Sequence, residues 1–322
     1  MRLEHFGLHE QPFGTTPDPR FLYFSAAHAE ALAALHYGLN QRRGLLVLIA
    51  PSGMGKTTLL HHLLERWKGR AEAAFVFHPP ETREQMLAAV LEDLGRPSNG
   101  DSAEARRLLH VLALDCYRRG KRLLLVFDEA QNIPPAVLEE IRLLSNFETS
   151  KEKLIEVILA GQPGLAERLR APEQEQLRQR IGVWAEIGPL DRGEVRRYVE
   201  HRLRTAGCER PRLFTRAALG LLAQRSQGIP RSINALCFEG LSSAFAEGKK
   251  RVAEEHIPQM PPQLTSSEAR RKRPLLRLRW VTAAATVILG AGVLLAGAYL
   301  QHSGRLALSS WQAFRVMGGS SR

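Results

Sequence analysis

The stretch that decides the fold is LLVLIAPSGMGKTTLLHHLL, residues 45–64. Within it, APSGMGKT (50–57) matches the phosphate-loop pattern G-x-x-x-x-G-K-[ST], with Ala50 at the position of the first glycine. The apolar run before the loop is typical of a strand buried on both faces, and the leucines after it recur at helical spacing. The sequence therefore predicts a strand, a phosphate-binding loop and a helix whose free N-terminal N–H groups favour an anion.

This loop supplies the groups that a bound nucleoside triphosphate needs. Gly53 and Gly55 let the backbone close around an anion without a Cβ in the way. We expect Lys56 to reach the β- and γ-phosphates and the Thr57 hydroxyl to bind Mg²⁺. The predicted cofactors are accordingly ATP and Mg²⁺. The nucleotide-contacting residues predicted in the loop are Ala50, Pro51, Ser52, Gly53, Met54, Gly55, Lys56, Thr57 and Thr58.

A second motif lies in KRLLLVFDEAQN, residues 121–132, where an apolar run ends in Asp128 and Glu129. This is the Walker B pattern, in which we expect Asp128 to hold Mg²⁺ at the nucleotide site and Glu129 to orient the attacking water. The alternative is a strand that ends in a solvated acidic turn, but the phosphate loop upstream favours the first interpretation. A glutamate directly after the aspartate indicates the P-loop class with an extra strand between the two motifs, and AAFVFH (73–78) supplies that strand.

Two further apolar segments complete a pattern of five strands, LIEVILAGQP (154–163) and IGVWAEI (181–187). Five strands that alternate with helices imply a parallel sheet covered on both sides. Gln162, at the end of the fourth strand, is predicted to sense the γ-phosphate. The alternative for this residue is an ordinary strand-end turn before Pro163.

Three arginines are candidates for contact with phosphate. Arg178 and Arg180 precede the fifth strand, where either could stabilise charge on the γ-phosphate of a neighbouring subunit; a basic helix face is the alternative. Arg231 lies in the first turn of a predicted helix, where the helix dipole disfavours a cation. An anion such as ATP would favour the charge at that position, and the alternative is a surface arginine.

From Leu190 onward the pattern becomes helical. Asp191 and Glu194 form a start of the capping-box kind. Two more helices follow, and Pro230 lies near the start of the last one, where proline is well tolerated. The sequence therefore predicts a small helical domain after the α/β core.

Residues 280–300, WVTAAATVILGAGVLLAGAYL, carry no charge and are long enough to cross a membrane as a helix. The preceding RRKRPLLRLR (270–279) is strongly basic, so the positive-inside rule puts the N-terminal part in the cytoplasm and the C-terminus on the other side of the membrane. The family resemblance given below implies that this membrane is the bacterial inner membrane and that the C-terminus lies in the periplasm. The basic segment is also a candidate contact for anionic lipid. A buried core helix is the alternative for the apolar segment.

The formal net charge of +12 belongs mostly to this C-terminal region. Residues 270–322 contain nine lysines and arginines and no acidic residue, which leaves a net charge of +3 for the rest of the chain. A general nucleic-acid-binding surface is therefore not expected. The three cysteines lie far apart in the sequence, which argues against a zinc site or a disulfide framework.

Together these motifs resemble the AAA+ ATPases of the ExeA/GspA type, that is, general secretion pathway protein A and its relatives in pilus and exopolysaccharide clusters. The resemblance covers roughly residues 1–260. It implies an AAA+ core of strand order 5-1-4-3-2 with a helical lid, sensor roles for Gln162 and Arg231, and an arginine finger at Arg180 or Arg178. Secretion-type members carry a large periplasmic part after their membrane span, whereas about 22 residues follow the span here, so we expect only a short tail.

The predicted organisation has six segments. They are an N-terminal linker and helix (1–44), the AAA+ α/β core (45–189), the helical lid (190–257), a linker (258–279), the transmembrane helix (280–300) and the periplasmic tail (301–322).

The predicted function is a membrane-anchored, homo-oligomeric AAA+ ATPase with ATP sites shared between subunits. It would act with an envelope-assembly partner in a secretion, pilus or exopolysaccharide system. Two alternatives stay open at this point. One is a DNA-associated AAA+ switch, similar to transposition helpers or initiators. The other is a nucleotide-binding scaffold that hardly hydrolyses.

Overall fold

A computed structural model of the 322-residue chain describes most of its first 259 residues. The described ranges are 2–14, 18–96, 101–150, 152–209 and 212–259. All of them belong to one unit of the chain, Met1–Ala269.

The centre of the fold is a five-stranded parallel sheet. Its strands are β1 (Leu45–Ile49), β2 (Ala71–Val76), β3 (Arg122–Phe127), β4 (Ile155–Gly161) and β5 (Ile181–Glu186). The strand order is β2-β3-β4-β1-β5, and every neighbouring pair is parallel. This confirms the predicted order 5-1-4-3-2, read from the opposite edge. The second strand begins two residues before the predicted segment 73–78 and ends at Val76, two residues before the end of that segment.

Ten α-helices lie in the described residues. They are α1 (Ala26–Asn40), α2 (Lys56–Trp67), α3 (Arg83–Asp93), α4 (Ser102–Arg118), α5 (Pro135–Leu144), α6 (Pro163–Arg170), α7 (Glu175–Arg178), α8 (Arg192–Thr205), α9 (Arg216–Ser226) and α10 (Pro230–Ala246). Short 3-10 turns occur at Leu3–Phe6, Pro19–Phe21, Ala130–Asn132, Pro172–Gln174 and Glu254–His256.

Both faces of the sheet are buried, as the continuous apolar runs of its strands predict. In β3, Leu123 and Leu125 pack into the core on one side, together with side chains from α3, α4 and α5. Leu124 and Val126 point to the opposite side and pack with side chains from α1 and α2. Because alternate residues of a strand face opposite ways, both sets must be apolar, and all four are fully buried.

Helices α8 to α10 pack in one apolar cluster in the region predicted to be the helical lid, and they are called the lid below. The predicted capping box at its start is present: Glu194 donates its backbone N–H to Asp191 Oδ1 at 2.7 Å, and Asp191 donates its own to Glu194 Oε2 at 3.1 Å. The lid is tied to the sequence that precedes it at Leu190, whose N–H donates to the Gly228 carbonyl at 3.0 Å. A Cβ at Gly228 would lie 2.1 Å from the Leu190 oxygen, so this junction requires glycine.

The N-terminal segment divides between the lid and the sheet. Phe6, Phe13 and Phe21 pack in the same apolar cluster as the lid helices. Helix α1 instead packs on the sheet, where Leu35 and Leu39 join the cluster that contains β1 and α2. The segment therefore contacts both the lid and the sheet. The sequence analysis had predicted residues 1–44 as a single region. The other predicted domain boundaries stay predictions.

The predicted transmembrane helix, residues 280–300, lies outside the described residues, as do the basic segment before it and the tail after it. Within the part of the chain that the structure describes, no helix combines the length and the apolar character that a membrane crossing requires.

Candidate active site

The phosphate loop connects β1 to α2, as predicted. Gly53 and Gly55 both have left-handed backbone conformations, with φ of 80° and 86°. Ala50 continues the sheet pairing of β1, because its N–H donates to the Gly161 carbonyl at 3.0 Å. Its methyl group is fully buried in the core beside α2. Alanine therefore fits this first position, since its N–H still pairs with the neighbouring strand and the turn begins only at Ser52.

Lys56 is the buried cation of the site, with its side chain 5% exposed. Its ammonium group donates to the Ala50 carbonyl at 3.2 Å and lies 4.0 Å from Glu129 Oε1. Burial lowers the pKa of Lys56, and the negative charges of Glu129 and Asp128 oppose that shift. A desolvated ammonium beside an open cradle is poised to bind an anion, because a phosphate would restore the interactions that it loses with water.

The two motifs meet at Thr57 and Asp128. The Thr57 hydroxyl donates to Asp128 Oδ2 at 2.5 Å, and Asp128 itself is 3% exposed. These two oxygen-bearing side chains come from elements 71 residues apart in the sequence. Hydroxyl and carboxylate oxygens are the ligands that Mg²⁺ prefers, and it is usually held by few protein groups together with phosphate oxygens. The pair therefore has the oxygen donors that a Mg²⁺ site requires, and Mg²⁺ binding here stays a prediction.

Glu129 is held in a strained conformation beside this pair. Its φ of 49° is left-handed, which is uncommon for a residue other than glycine and is typical of functional sites. Its Oε2 accepts hydrogen bonds from the Gln131 amide at 2.6 Å and the Gln162 amide at 3.0 Å. Partial burial alone would raise the pKa of Glu129, but these amides and the Lys56 charge together lower it below its ordinary value. The carboxylate is therefore ionised and oriented at neutral pH.

Gln131 is a residue of the site that the sequence analysis missed. Besides bonding Glu129, it accepts the backbone N–H of Gln162 at 2.9 Å. Its own carbonyl accepts from the Arg168 guanidinium, so α6 fixes the turn that carries it. Its position two residues after Glu129, in DEAQN, is the signal that could have identified it. The polar ends of β3 and β4 are thus joined through one glutamine side chain.

The lid reaches the phosphate loop through Arg231, in the first turn of α10. The Arg231 N–H donates to the Gly53 carbonyl at 3.3 Å, and its guanidinium donates to Ser52 Oγ at 3.4 Å. A Cβ at Gly53 would come 2.7 Å from the Arg231 Cβ, so the loop and the lid touch at this point. Arg231 is therefore placed beside the loop, where a bound phosphate would lie within its reach.

A cavity of about 640 Å³ opens beside the loop. That volume lies within the usual range for small-molecule and cofactor sites. The described lining includes nine of the predicted site residues, namely Ser52, Gly53, Met54, Gly55, Lys56, Thr57, Thr58, Glu129 and Arg231. Four more predicted residues, Ala50, Pro51, Asp128 and Gln162, lie behind this lining or next to it in the chain.

Arg178 and Arg180 do not join this group within the chain. Arg178 ends α7 and Arg180 directly precedes β5, so both lie at the edge where the parallel strands begin. The phosphate loop lies at the opposite edge, where β1 ends. Neither arginine is among the described residues that line the cavity, and Arg178 lies 3.9 Å from Glu175.

Comparison with known proteins agrees with this geometry. Residues 39–169 match the family described as AAA domain. Over 261 residues, 80% of its length, the chain is 41% identical to general secretion pathway protein A of Aeromonas hydrophila. Over this shared part, the chain resembles the ExeA/GspA-type AAA+ ATPases. The chain spans about half of that relative, since the match covers 47% of it.

Two solved structures show the same fold. The ORC2 protein of Aeropyrum pernix, in its ADPNP–ADP complexes, is 19% identical, with a TM-score of 0.55 over 77% of this chain and 70% of its own. The Cdc6p protein of Pyrobaculum aerophilum is 17% identical, with a TM-score of 0.57 over 76% of this chain and 68% of its own. At these identities the likeness concerns the fold alone.

Gln131→Ala is expected to lower ATP turnover by about tenfold or more while leaving ATP affinity nearly unchanged. The estimate follows from the loss of a hydrogen bond to a charged group, worth about 1.5–3 kcal/mol, at Glu129 rather than at the phosphate loop. Without this amide donor the pKa of Glu129 rises. If Glu129 orients the attacking water as predicted, its ionised form is the active one, and the acidic limb of the rate profile should move to higher pH.

Steady-state turnover against ATP concentration and pH checks this expectation. Gln224→Ala, on an exposed position of α9, serves as the matched control. An unchanged pH profile in Gln131→Ala would show that Gln131 does not act through Glu129.

Proposed function

We propose that this protein binds ATP with Mg²⁺ and hydrolyses it at the site described above. The observation that carries the proposal is the meeting of the two motifs, with Thr57 2.5 Å from Asp128 and Lys56 4.0 Å from Glu129. The four side chains supply a phosphate-binding cation, a Mg²⁺-binding pair and a carboxylate that can orient water. Those are the functions that phosphoryl transfer to water requires.

Each residue has a separate task in this proposal. Lys56 and the loop N–H groups bind the β- and γ-phosphates, and Thr57 and Asp128 hold Mg²⁺, which neutralises charge on those phosphates. Glu129 accepts a hydrogen bond from the attacking water and so orients that water. Gln162 holds Glu129 and lies at the strand end, where it would sense the γ-phosphate.

The lid and a neighbouring subunit complete the site. Arg231 contacts Ser52 and Gly53, so its guanidinium would follow the nucleotide phosphates as the lid moves. Arg180 or Arg178 lies at the far edge of the sheet, away from the loop of its own chain. That position supports a role in the site of an adjacent copy, and hence a homo-oligomer with shared ATP sites.

We further propose that this ATPase acts at the bacterial cell envelope. The support is its likeness to general secretion pathway protein A, whose name refers to secretion. The uncharged segment 280–300 with its basic flank supports an inner-membrane anchor, with the ATPase in the cytoplasm and anionic lipid at 270–279. An envelope-assembly protein would be its partner. The DNA-associated alternative is not favoured, because the solved structures share only the fold with this chain, at below 20% identity, and therefore carry no information about DNA.

In the full-length protein, Lys56→Ala is expected to abolish ATP binding and turnover, because it removes the buried cation of the cradle. Glu129→Gln should keep ATP binding and lower kcat about 100-fold or more, since it removes only the group that orients water. Nucleotide binding by calorimetry and phosphate release, measured at concentrations that allow oligomers, check both.

Lys68→Ala is the control for the first variant, because this lysine lies just after α2 and is 76% exposed. Wild-type turnover no faster than that of Lys56→Ala would exclude hydrolysis at this site. Tight ATP binding with no turnover in the wild type would instead favour the nucleotide-binding scaffold.

Arg180→Ala should lower turnover about 100-fold or more with little change in ATP affinity, because the lost charge acts on the transition state in a neighbouring subunit.

Mixing this variant with Lys56→Ala should restore part of the turnover. In the mixture, an intact Lys56 site can receive Arg180 from the other variant. Phosphate release from mixtures at a fixed total concentration measures the restoration, with Arg178→Ala mixed in the same way to decide between the two arginines. Mixtures no faster than the separate variants would contradict shared sites.

The membrane anchor is tested in cells by substituting Ile288→Arg together with Leu289→Arg in the full-length chain. Each arginine at the centre of a span costs about 2.5–3.5 kcal/mol, so the protein should leave the carbonate-washed membrane pellet. Ser266→Arg with Ser267→Arg adds the same charge before the basic segment and should stay in the pellet. Retention of the first variant would argue against a span at 280–300.

A further inference from the structure

His28 contacts the phosphate loop from outside the two motifs. It lies in the first turn of α1 and is only 3% exposed. Its Nε2 is 2.8 Å from the Met54 carbonyl oxygen, and its Nδ1 is 2.6 Å from Ser25 Oγ. A buried histidine bonded to the backbone of the loop, 26 residues away in the sequence, is unusual for a helix whose other buried side chains are mostly apolar.

The hydrogen-bond partners fix the tautomer of this imidazole. The Met54 carbonyl can only accept, so Nε2 must carry the proton and donate it. In the neutral ring, Nδ1 then accepts from the Ser25 hydroxyl, which itself accepts the His28 backbone N–H at 3.3 Å. Burial lowers the pKa of His28, more than the hydrogen bond to Met54 and the charge of Glu194 raise it. The neutral ring with Nε2–H is therefore the form at neutral pH.

This donation has a consequence on the other side of the same peptide group. In a planar trans peptide, the Met54 C=O and the Gly55 N–H point in opposite directions. Holding the carbonyl toward His28 therefore turns the Gly55 N–H away from α1. Gly55 has the left-handed conformation of a phosphate-binding turn and lines the cavity. Its N–H is one of those that would face an anion at the start of α2.

Two successive carbonyls of the loop are thus held by different elements. The Gly53 carbonyl accepts from the Arg231 N–H of the lid, and the Met54 carbonyl accepts from His28 of α1. The lid also contacts the start of α1, where Glu194 Oε1 accepts the Ala26 N–H at 3.3 Å. The loop geometry therefore depends on α1 and the lid together.

We propose that His28 is a positioning residue of the nucleotide site, which fixes the Met54–Gly55 peptide so that its N–H faces the nucleotide phosphates. The proposal rests on the proposed ATP binding, and it adds a residue that neither motif contains. It requires only the Nε2–H donor at the position that His28 now occupies.

Two amide substitutions separate this role from simple packing in the full-length protein. The side-chain nitrogen of glutamine can take the place of Nε2, whereas that of asparagine reaches only as far as Nδ1. His28→Gln should therefore bind ATP and ADP within about threefold of wild type, and His28→Asn about tenfold more weakly, as expected for one lost hydrogen bond near a charged ligand. The kcat at saturating ATP should change less than about threefold in both. Calorimetric titration with ATP and with ADP, alongside the melting temperature of each variant, provides the readouts.

The outcomes are distinct. If the wild type does not bind ATP, the proposed function itself fails. If the wild type binds ATP but the two variants bind it equally, whether well or poorly, the positioning role is overturned, even where their melting temperatures fall.

A measurement on the unaltered protein covers the case in which the asparagine variant does not fold. In wild type labelled with ¹⁵N-histidine, the His28 ring should show a protonated Nε2 and an unprotonated Nδ1, and the Nε2–H signal should shift on addition of ADP. A ring protonated at Nδ1 alone, or a signal that ADP leaves in place, would overturn the proposal.

Discussion

The site depends on the parallel register of three strands. Ile49 of β1 lies beside Gly161 of β4, and Phe127 of β3 lies beside Leu159 of β4. All three strands therefore end at one edge of the sheet, and whatever follows each of them is brought together there. The phosphate loop follows β1, the acidic pair follows β3, and Gln162 follows β4. Burial of both faces maintains this register, because a shift of one residue would exchange the side chains that face the two cores.

This constraint explains how much could be predicted from the sequence. The continuous apolar runs identified the five strands, and the motifs at their ends predicted Lys56, Thr57 and Asp128 as site residues, because the spacing within each motif is set by local backbone geometry. Contacts that depend on side-chain direction were not accessible in this way. Gln131 lies in a turn whose course is fixed by Arg168 of α6. His28 meets Met54 only because α1 packs on the sheet next to β1. The contact between His28 and Met54 has no spacing that a motif could record, whereas Gln131 lies only two residues after Glu129 and could have been found from the sequence.

Glu129 shows how such a site is maintained at a cost in local stability. A left-handed residue other than glycine costs of order 1–3 kcal/mol and persists only where its surroundings determine it. Here the Glu129 N–H is held by Asp128 Oδ1 at 2.8 Å, and its carboxylate is held by two glutamine amides. The same contacts that stabilise the strained backbone also orient the carboxylate. The left-handed backbone of Glu129 and the orientation of its carboxylate therefore depend on the same part of the fold.

The lid is connected to the site by more than Arg231. Its core contains the N-terminal aromatic side chains Phe6, Phe13 and Phe21, and the chain then runs directly into α1. The lid consequently has two lines of contact with the phosphate loop. One is the Arg231 N–H on the Gly53 carbonyl, and the other runs through Glu194, the start of α1 and His28 to the Met54 carbonyl. Because these carbonyls belong to adjacent residues, the lid and α1 hold neighbouring peptide groups of one loop. A nucleotide that binds only one geometry of that loop would therefore also favour the lid position that is compatible with it.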